Sequence, residues 1–133
     1  MKQPVNPPSV FRSLDHGFSQ AVAASGRRTL YVSGQTAWDS RKQLVGGADL
    51  ENQARRALLN LQSVVEAAGG TLADVVSVRV YLVDYRPEKA AAVGRAFKDS
   101  FSGDVKPACT WVGVAALADP AFLIEVEATA VLD

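Results

Sequence analysis

Two segments near the end of the sequence decide the fold: ACTWVGV, residues 108–114, and FLIEVEATAV, residues 122–131. Each alternates residue type with a period of two, and a short segment without alternation separates them. This pattern predicts two β-strands. Residues two apart on a strand point to the same side, so Glu125 and Glu127 should share one face, about 7 Å apart.

The first of these strands places Cys109 and Trp111 on one face, and Thr110 and Val112 on the other. We expect the aliphatic set, with Thr110 and Val112, to lie beneath the helices. The opposite face would then carry a thiol, an indole and two acids. This assignment of faces determines where a site can form.

The rest of the chain supplies two helices and further strands. Apolar residues recur at spacings of three and four after Asp49, until a pair of glycines ends the pattern, which predicts a helix. A proline suited to the first turn begins a second helix. The predicted elements are strands over 19–24, 29–35 and 75–83, and helices over 50–68 and 87–101.

Composition describes one ordinary globular domain, residues 1–133. Hydrophobic residues make up 48% and charged residues 21%, and such a chain can bury a single core. Fourteen basic and fourteen acidic side chains give a formal net charge of zero, which provides no general attraction to nucleic acid or membrane surfaces. Cys109 is the only cysteine, so no intrachain disulfide can form. Without a signal-like or membrane-spanning stretch, we expect a cytoplasmic protein.

Two helices cover only one face of a sheet of about five strands. We expect the covered face to be uniformly aliphatic, built from Leu30, Val32, Val76, Val78, Val80, Val112, Phe122, Ile124 and Val126. The other face would expose Tyr31, Tyr81, Trp111 and Leu123 beside Ser33, Arg79, Cys109, Glu125 and Glu127. Such an aromatic patch is larger than a monomer normally leaves in water, so a second subunit should cover it.

Several segments, taken in order, resemble the RidA/YjgF family of reactive-intermediate deaminases, formerly labelled endoribonuclease L-PSP. Each is short, but together they span the chain from Gly17 onward. They are GFSQA (17–21), YVSGQ (31–35), QARRALLNL (53–61), EAAG (66–69), DVVSVRVYL (74–82), PA (107–108) and IEVEA (124–128).

The resemblance implies an α+β, chorismate-mutase-like fold with a mixed sheet of about five to six strands and two helices on one face. It also implies a homotrimer with small-molecule sites between subunits. The reaction would be hydrolysis of 2-imino or enamine acids to 2-oxo acids and ammonia, without metal or organic cofactor.

Some residues of this sequence match those that line the pocket in the RidA/YjgF family, and others differ from them. Ser33 and Gly34 match the strand end whose backbone lines the family pocket, and Glu125 matches the acid that orients water. Cys109 stands where deaminating members have an arginine that binds the substrate carboxylate. The family's frequent tyrosine is Phe18, and an asparagine of the second helix is Gly94. Arg79, by its face, and Arg12, near the amino terminus, are candidate replacements for the arginine.

The residues leave alternatives open. Cys109 is either a nucleophile or a small packing residue that fills the arginine's space. Glu125 is either a general acid or base, or a partner in an intersubunit salt bridge. Glu127 is expected to pair with Arg79, and Trp111 to pack at the subunit interface and form a pocket wall.

Three functions follow. The first is a RidA-like hydrolase whose pocket, with Phe18, Cys109 and Trp111, accepts a larger or less acidic C=N compound. The second is a trimer that binds a small ligand without catalysis. The third is the older ribonuclease assignment, which the zero net charge and the single histidine, His16, disfavour.

Overall fold

The computed structural model describes residues 1–133 as six strands, two α-helices and short 3-10 turns. The elements are β1 (Lys2–Val5), β2 (Ala21–Ala24), β3 (Arg28–Gln35), α1 (Leu50–Ala67), β4 (Val75–Val83), α2 (Ala90–Ser100), β5 (Ala108–Val114) and β6 (Ile124–Leu132). Neither α-helix is long and apolar enough to cross a bilayer.

The main sheet has four strands in the order β3-β6-β4-β5. Strand β6 runs antiparallel to both neighbours and β5 runs parallel to β4, so the sheet is mixed. Strands β1 and β2 form a separate antiparallel pair, and a single bridge between Ser19 and Ala108 links that part of the chain to β5. The predicted α+β class, with a mixed sheet and two helices, is confirmed. The amino-terminal segment begins with β1.

A capping side chain and a glycine set the ends of α1, and a proline precedes α2. Asp49 caps α1, because its carboxylate accepts a hydrogen bond from the Asn52 amide at 2.8 Å. Gly69, just beyond the end of α1, has a φ of 89°, a conformation that glycine adopts without steric cost. Pro87 begins a short 3-10 turn instead of the helix itself, and α2 starts at Ala90.

One hydrophobic core lies between the helices and one face of the sheet. Val80 and Leu82 of β4 and Val126 of β6 are fully buried against the apolar sides of the helices, which contribute residues such as Leu61 and Val93. Each such side chain contributes about 1.5 to 3 kcal/mol of hydrophobic stabilisation. This packing leaves the other face of the main sheet open.

Val76 was expected on the covered face, and this prediction is wrong. The pairing of β4 with β6 shifts register between Val75 and Ser77, which is the irregularity of a β-bulge. Val75 is consequently fully buried, whereas Val76 is only half-buried. The regular alternation resumes at Val78.

The prediction for the faces of β5 is also wrong. Because β5 pairs in parallel with β4, Cys109 lies beside Val78 and Trp111 beside Val80, and neighbouring residues in register point to the same side. Cys109 and Trp111 therefore pack against the core under α2. Val112, expected in the core, is exposed on the open face.

Candidate functional site

The open face of the sheet carries an ion pair between its two central strands. Arg79 and Glu127 lie opposite each other, with the guanidinium 3.3 Å from a Glu127 carboxylate oxygen. The Tyr81 hydroxyl donates a short hydrogen bond to the same oxygen. Interaction with Tyr81, and then with the charge of Glu127, raises the pKa of Arg79. The predicted pairing of Glu127 with Arg79 is confirmed.

Glu125 lies on the same face and makes no hydrogen bond or salt bridge within the chain. Its side chain passes directly over Gly34, where an added Cβ would be 2.6 Å from Cδ of Glu125. The β3–β6 register shifts between Val32 and Gln35, and this irregularity leaves Ser33 and Gly34 exposed. The structure thus brings together Glu125, Ser33 and Gly34.

The beginning of β6 is fixed by Gln53, a residue that the sequence did not single out. Its fully buried amide nitrogen donates to the carbonyls of Gly47 at 2.7 Å and Ala121 at 2.9 Å. Its amide oxygen accepts from the Leu123 N–H at 2.9 Å. The sequence does indicate such a role, because Gln53 is a polar residue next to Ala54 on the apolar side of α1. Through Leu123, Gln53 sets the position of the strand that carries Glu125.

Cys109 and Trp111 form a second cluster on the covered face, near the edge of the sheet. The Trp111 indole N–H donates to the Cys109 sulfur at 3.2 Å, and its ring centroid lies 6.3 Å from that of Phe97 of α2 and 6.5 Å from that of Tyr85. Burial, opposed in part by the hydrogen bond from Trp111, raises the pKa of the Cys109 thiol to about 11. The thiol is therefore protonated at neutral pH, which favours the packing alternative over the nucleophile.

Phe18 is held beside the beginning of β5. The next residue, Ser19, is buried; its N–H donates to the Pro107 carbonyl at 3.0 Å, and its hydroxyl donates to the Lys106 carbonyl at 2.7 Å. These bonds place the backbone at Phe18 beside Pro107, two residues before Cys109 in the sequence. Phe18 therefore lies near the β5 edge of the sheet, and its ring makes an edge-to-face contact with Phe11.

The predicted site residues fall into two groups within one chain. Glu125, Ser33 and Gly34 lie on the open face, with Arg79 nearby, whereas Cys109 and Trp111 lie on the covered face with Phe18 near the edge. The expectation that Cys109 and Glu125 share a face is wrong, because β5 has the opposite phase from the one assumed. No group of three or more His, Cys, Asp or Glu side chains is placed to hold a metal ion.

Comparison with known proteins agrees with the fold. The sequence pattern of the endoribonuclease L-PSP family matches residues 12–132. The chain belongs to the RidA/YjgF family.

Relatives of this Rid protein agree at the level of sequence and fold. YyfB of Yersinia pestis, from the conserved Rid protein family, is 42% identical with a TM-score of 0.95, covering 98% of each chain. RidA of an Antarctic Psychrobacter is 33% identical with a TM-score of 0.70, covering 86% of this chain and 88% of that one. A RutC family protein of Pyrococcus horikoshii is 35% identical over 113 residues, 85% of each sequence.

Proposed function

We propose that this Rid protein hydrolyses an imine, an enamine or a related C=N compound in a cleft between subunits. In the overall reaction, one imine and one water give one carbonyl compound and one ammonia. The observation that carries the proposal is the Glu125 carboxylate, which has no partner in its own chain and lies over the backbone of Gly34. A carboxylate held on a rigid strand with its oxygens free can accept a proton.

Two subunits are needed to build the whole site. Glu125 and Cys109 lie on opposite faces of the sheet, so one chain cannot bring both to one ligand. If the β5 edge of one copy packed against the open face of another, Cys109 of the first and Glu125 of the second would line the same cleft. The open face also leaves Tyr31 80% exposed, more than an isolated chain usually tolerates beside other apolar groups. We propose the homotrimer that the family resemblance implies.

The chemistry requires one proton acceptor and one support for developing charge. Glu125 accepts a proton as the water oxygen attacks the imine carbon, the C=N π electrons move to nitrogen, and Glu125 returns that proton to the nitrogen. The resulting amino alcohol transfers its hydroxyl proton to Glu125, which passes it to the amino nitrogen. The C–N bond then breaks with its electrons on nitrogen, so that ammonia departs and the carbonyl compound remains. In this proposal, backbone N–H groups at the Ser33–Gly34 irregularity donate hydrogen bonds to the water oxygen and to the negative charge that it develops.

The substrate should lack the carboxylate of a small 2-imino acid. A bidentate arginine contributes charge-assisted bonds of about 1.5 to 3 kcal/mol each, and Cys109 cannot replace it. The two candidate replacements already have carboxylate partners: Arg79 pairs with Glu127, and Arg12 lies 3.0 Å from Asp15. This charge balance favours a larger or less acidic compound.

The experiment is a panel of imines, made in situ by an oxidase from different amines and amino acids. Hydrolysis competes with a trapping nucleophile, so activity appears as loss of the trapped product. Glu125→Gln should remove the acceleration, and Glu66→Gln, an isosteric change on the outside of α1, should leave it intact. No acceleration for any imine, or an equal rate in Glu125→Gln, would contradict the proposal.

The second candidate is a trimer that binds a small ligand and has lost catalysis. The observation that favours it is Cys109 at the position of the arginine. A ligand found in the cleft without turnover would support this function instead.

Highly purified protein should show no ribonuclease activity, in keeping with its zero net charge and single histidine.

A further inference from the structure

Phe11 is the most exposed phenylalanine of the chain and lies in the segment between β1 and β2. Its side chain is 61% exposed, although its surroundings are ordered by specific contacts. The Gln20 side-chain amide donates to the Phe11 carbonyl at 2.9 Å, and the Gln20 N–H donates to the Asn6 side-chain oxygen at 2.8 Å. These bonds hold the Phe11 backbone against the chain that leads into β2.

Three rings meet at this point. The centroid of Phe11 lies 5.8 Å from that of His16 and 6.1 Å from that of Phe18, with interplanar angles of 73° and 68°. Edge-to-face contacts at these distances are favourable for aromatic pairs. Phe18 and His16 thus support Phe11 from the sides, while most of the Phe11 surface remains in solvent.

The position of this aromatic cluster relates it to the proposed site. Ser19 binds the backbone of Lys106 and Pro107, so the chain at Phe18 lies beside the beginning of β5, the strand that carries Cys109. Beyond Cys109 on this strand, Trp111 contacts Phe97 and Tyr85. The aromatic cluster and the Cys109–Trp111 pair thus lie at the same strand of the sheet.

Two cations near the cluster already have contacts within the chain. Arg12, the nearest basic residue in sequence to Phe11, pairs with Asp15, and the Lys106 ammonium donates to the Phe101 carbonyl at 2.6 Å, a contact that leaves its charge without a carboxylate. A ligand carboxylate would have to draw Lys106 away from that carbonyl, whereas an uncharged ring meets the exposed surface of Phe11 directly.

We propose that Phe11, supported by His16 and Phe18, is a specificity-determining residue that stacks on the aromatic ring of an uncharged arylalkyl imine. This inference rests on the proposed hydrolase function and adds the class of substrate. The reaction is the same hydrolysis, so an arylalkyl aldimine and water give the arylalkyl aldehyde and ammonia. Phe11 takes no part in proton transfer; it selects which imine occupies the cleft.

A set of four imines distinguishes the effect of an aromatic ring in the substrate from the effect of a carboxylate. They are made in situ from 2-phenylethylamine, butylamine, phenylalanine and alanine, and each is assayed by competition with a trapping nucleophile. Wild-type protein should hydrolyse the 2-phenylethylamine imine with the highest kcat/KM. Phe11→Ala should lower that value about tenfold, through KM, because ring stacking is lost, while the butylamine imine should change less than about twofold.

Phe11→Leu should recover little of the preference, since it restores apolar area but not a ring. Leu59→Ala, an exposed apolar residue on α1, should leave all four rates unchanged. Light scattering of Phe11→Ala should show the same oligomer as wild type.

The outcomes distinguish this inference from the function on which it rests. If none of the four imines is hydrolysed faster than the background, the hydrolase function itself fails. If imines are hydrolysed without preference for the ring, or Phe11→Ala slows all of them equally, the role of Phe11 is overturned. Dissociation of the oligomer in Phe11→Ala with unchanged selectivity would overturn it too, by assigning Phe11 to a subunit contact.

Discussion

Glu125 lies over Gly34 so closely that a Cβ at residue 34 would be 2.6 Å from the Glu125 Cδ. The carboxylate can take this position because residue 34 has no side chain. Gly34 does not have a positive φ, so the backbone conformation alone does not require glycine here. Both residues are on strands of the main sheet, so the distance between their backbones is fixed.

We expect Gly34→Ala to displace the Glu125 carboxylate and lower imine hydrolysis roughly 100-fold, a typical result of moving a catalytic group by about 1 Å. Stability should change by less than about 1 kcal/mol, since the Glu125 side chain can swing toward solvent. Gly103→Ala is a matched control because nothing lies within 4 Å of an added Cβ there. Full activity in Gly34→Ala would show that the position of Glu125 does not matter.

The thiol of Cys109 gives a prediction for pH dependence. Its pKa is raised to about 11 by burial, above its ordinary value, so the folded state holds the proton more tightly than the unfolded state. Stability is complete below the unfolded pKa and is lost as pH rises through the folded pKa. Between about pH 9 and 11 the loss should reach roughly 2 to 3 kcal/mol.

Urea denaturation at pH 7 and pH 11 measures this loss, and Cys109→Ala provides the control. The difference in unfolding free energy between wild type and Cys109→Ala should shrink as the pH rises. Rapid alkylation of the folded protein by iodoacetamide at pH 7 would contradict the buried, protonated thiol and reopen the nucleophile alternative.

Much of the fold could be predicted because certain segments permit only one interpretation. The apolar spacing from Leu50 to Ala67 matches a helix, and the alternation in Val78, Val80 and Leu82 matches a strand covered on one side. Glu125 and Gly34 could be placed in one site because each belongs to a segment shared with the family.

The faces of β5 could not be predicted because both phases of the strand are similarly apolar. Cys109 with Trp111, and Thr110 with Val112, are equally plausible core sets by composition, and only the register with β4 decides between them. The bulge near Val76 and the three hydrogen bonds of Gln53 likewise depend on distant segments, which no local pattern records. These long-range features separate the two groups of predicted site residues.

Among the polar side chains of α1, Gln53 should be the one whose replacement lowers the unfolding free energy most. Gln53→Ala removes hydrogen bonds to Gly47, Ala121 and Leu123 and leaves a cavity in place of a fully buried side chain. We expect a loss of about 2 to 4 kcal/mol in unfolding free energy, because each hydrogen bond contributes about 0.5 to 1.5 kcal/mol and the cavity adds to that cost. Gln62→Ala, which removes only an exposed bond to Glu66, should cost less than about 0.5 kcal/mol. Equal losses in the two variants would mean that Gln53 does not anchor β6.

Cys109→Arg tests why this family member should prefer uncharged compounds. Cys109 lies on an edge strand near the beginning of β5, so a longer side chain can extend past the edge while its stem stays apolar. The guanidinium should bind a substrate carboxylate and raise kcat/KM for the alanine and phenylalanine imines at least about tenfold. Cys109→Met supplies similar length without charge and should not raise it. An equal effect of arginine and methionine would indicate that the size of residue 109, and not its charge, limits the substrate.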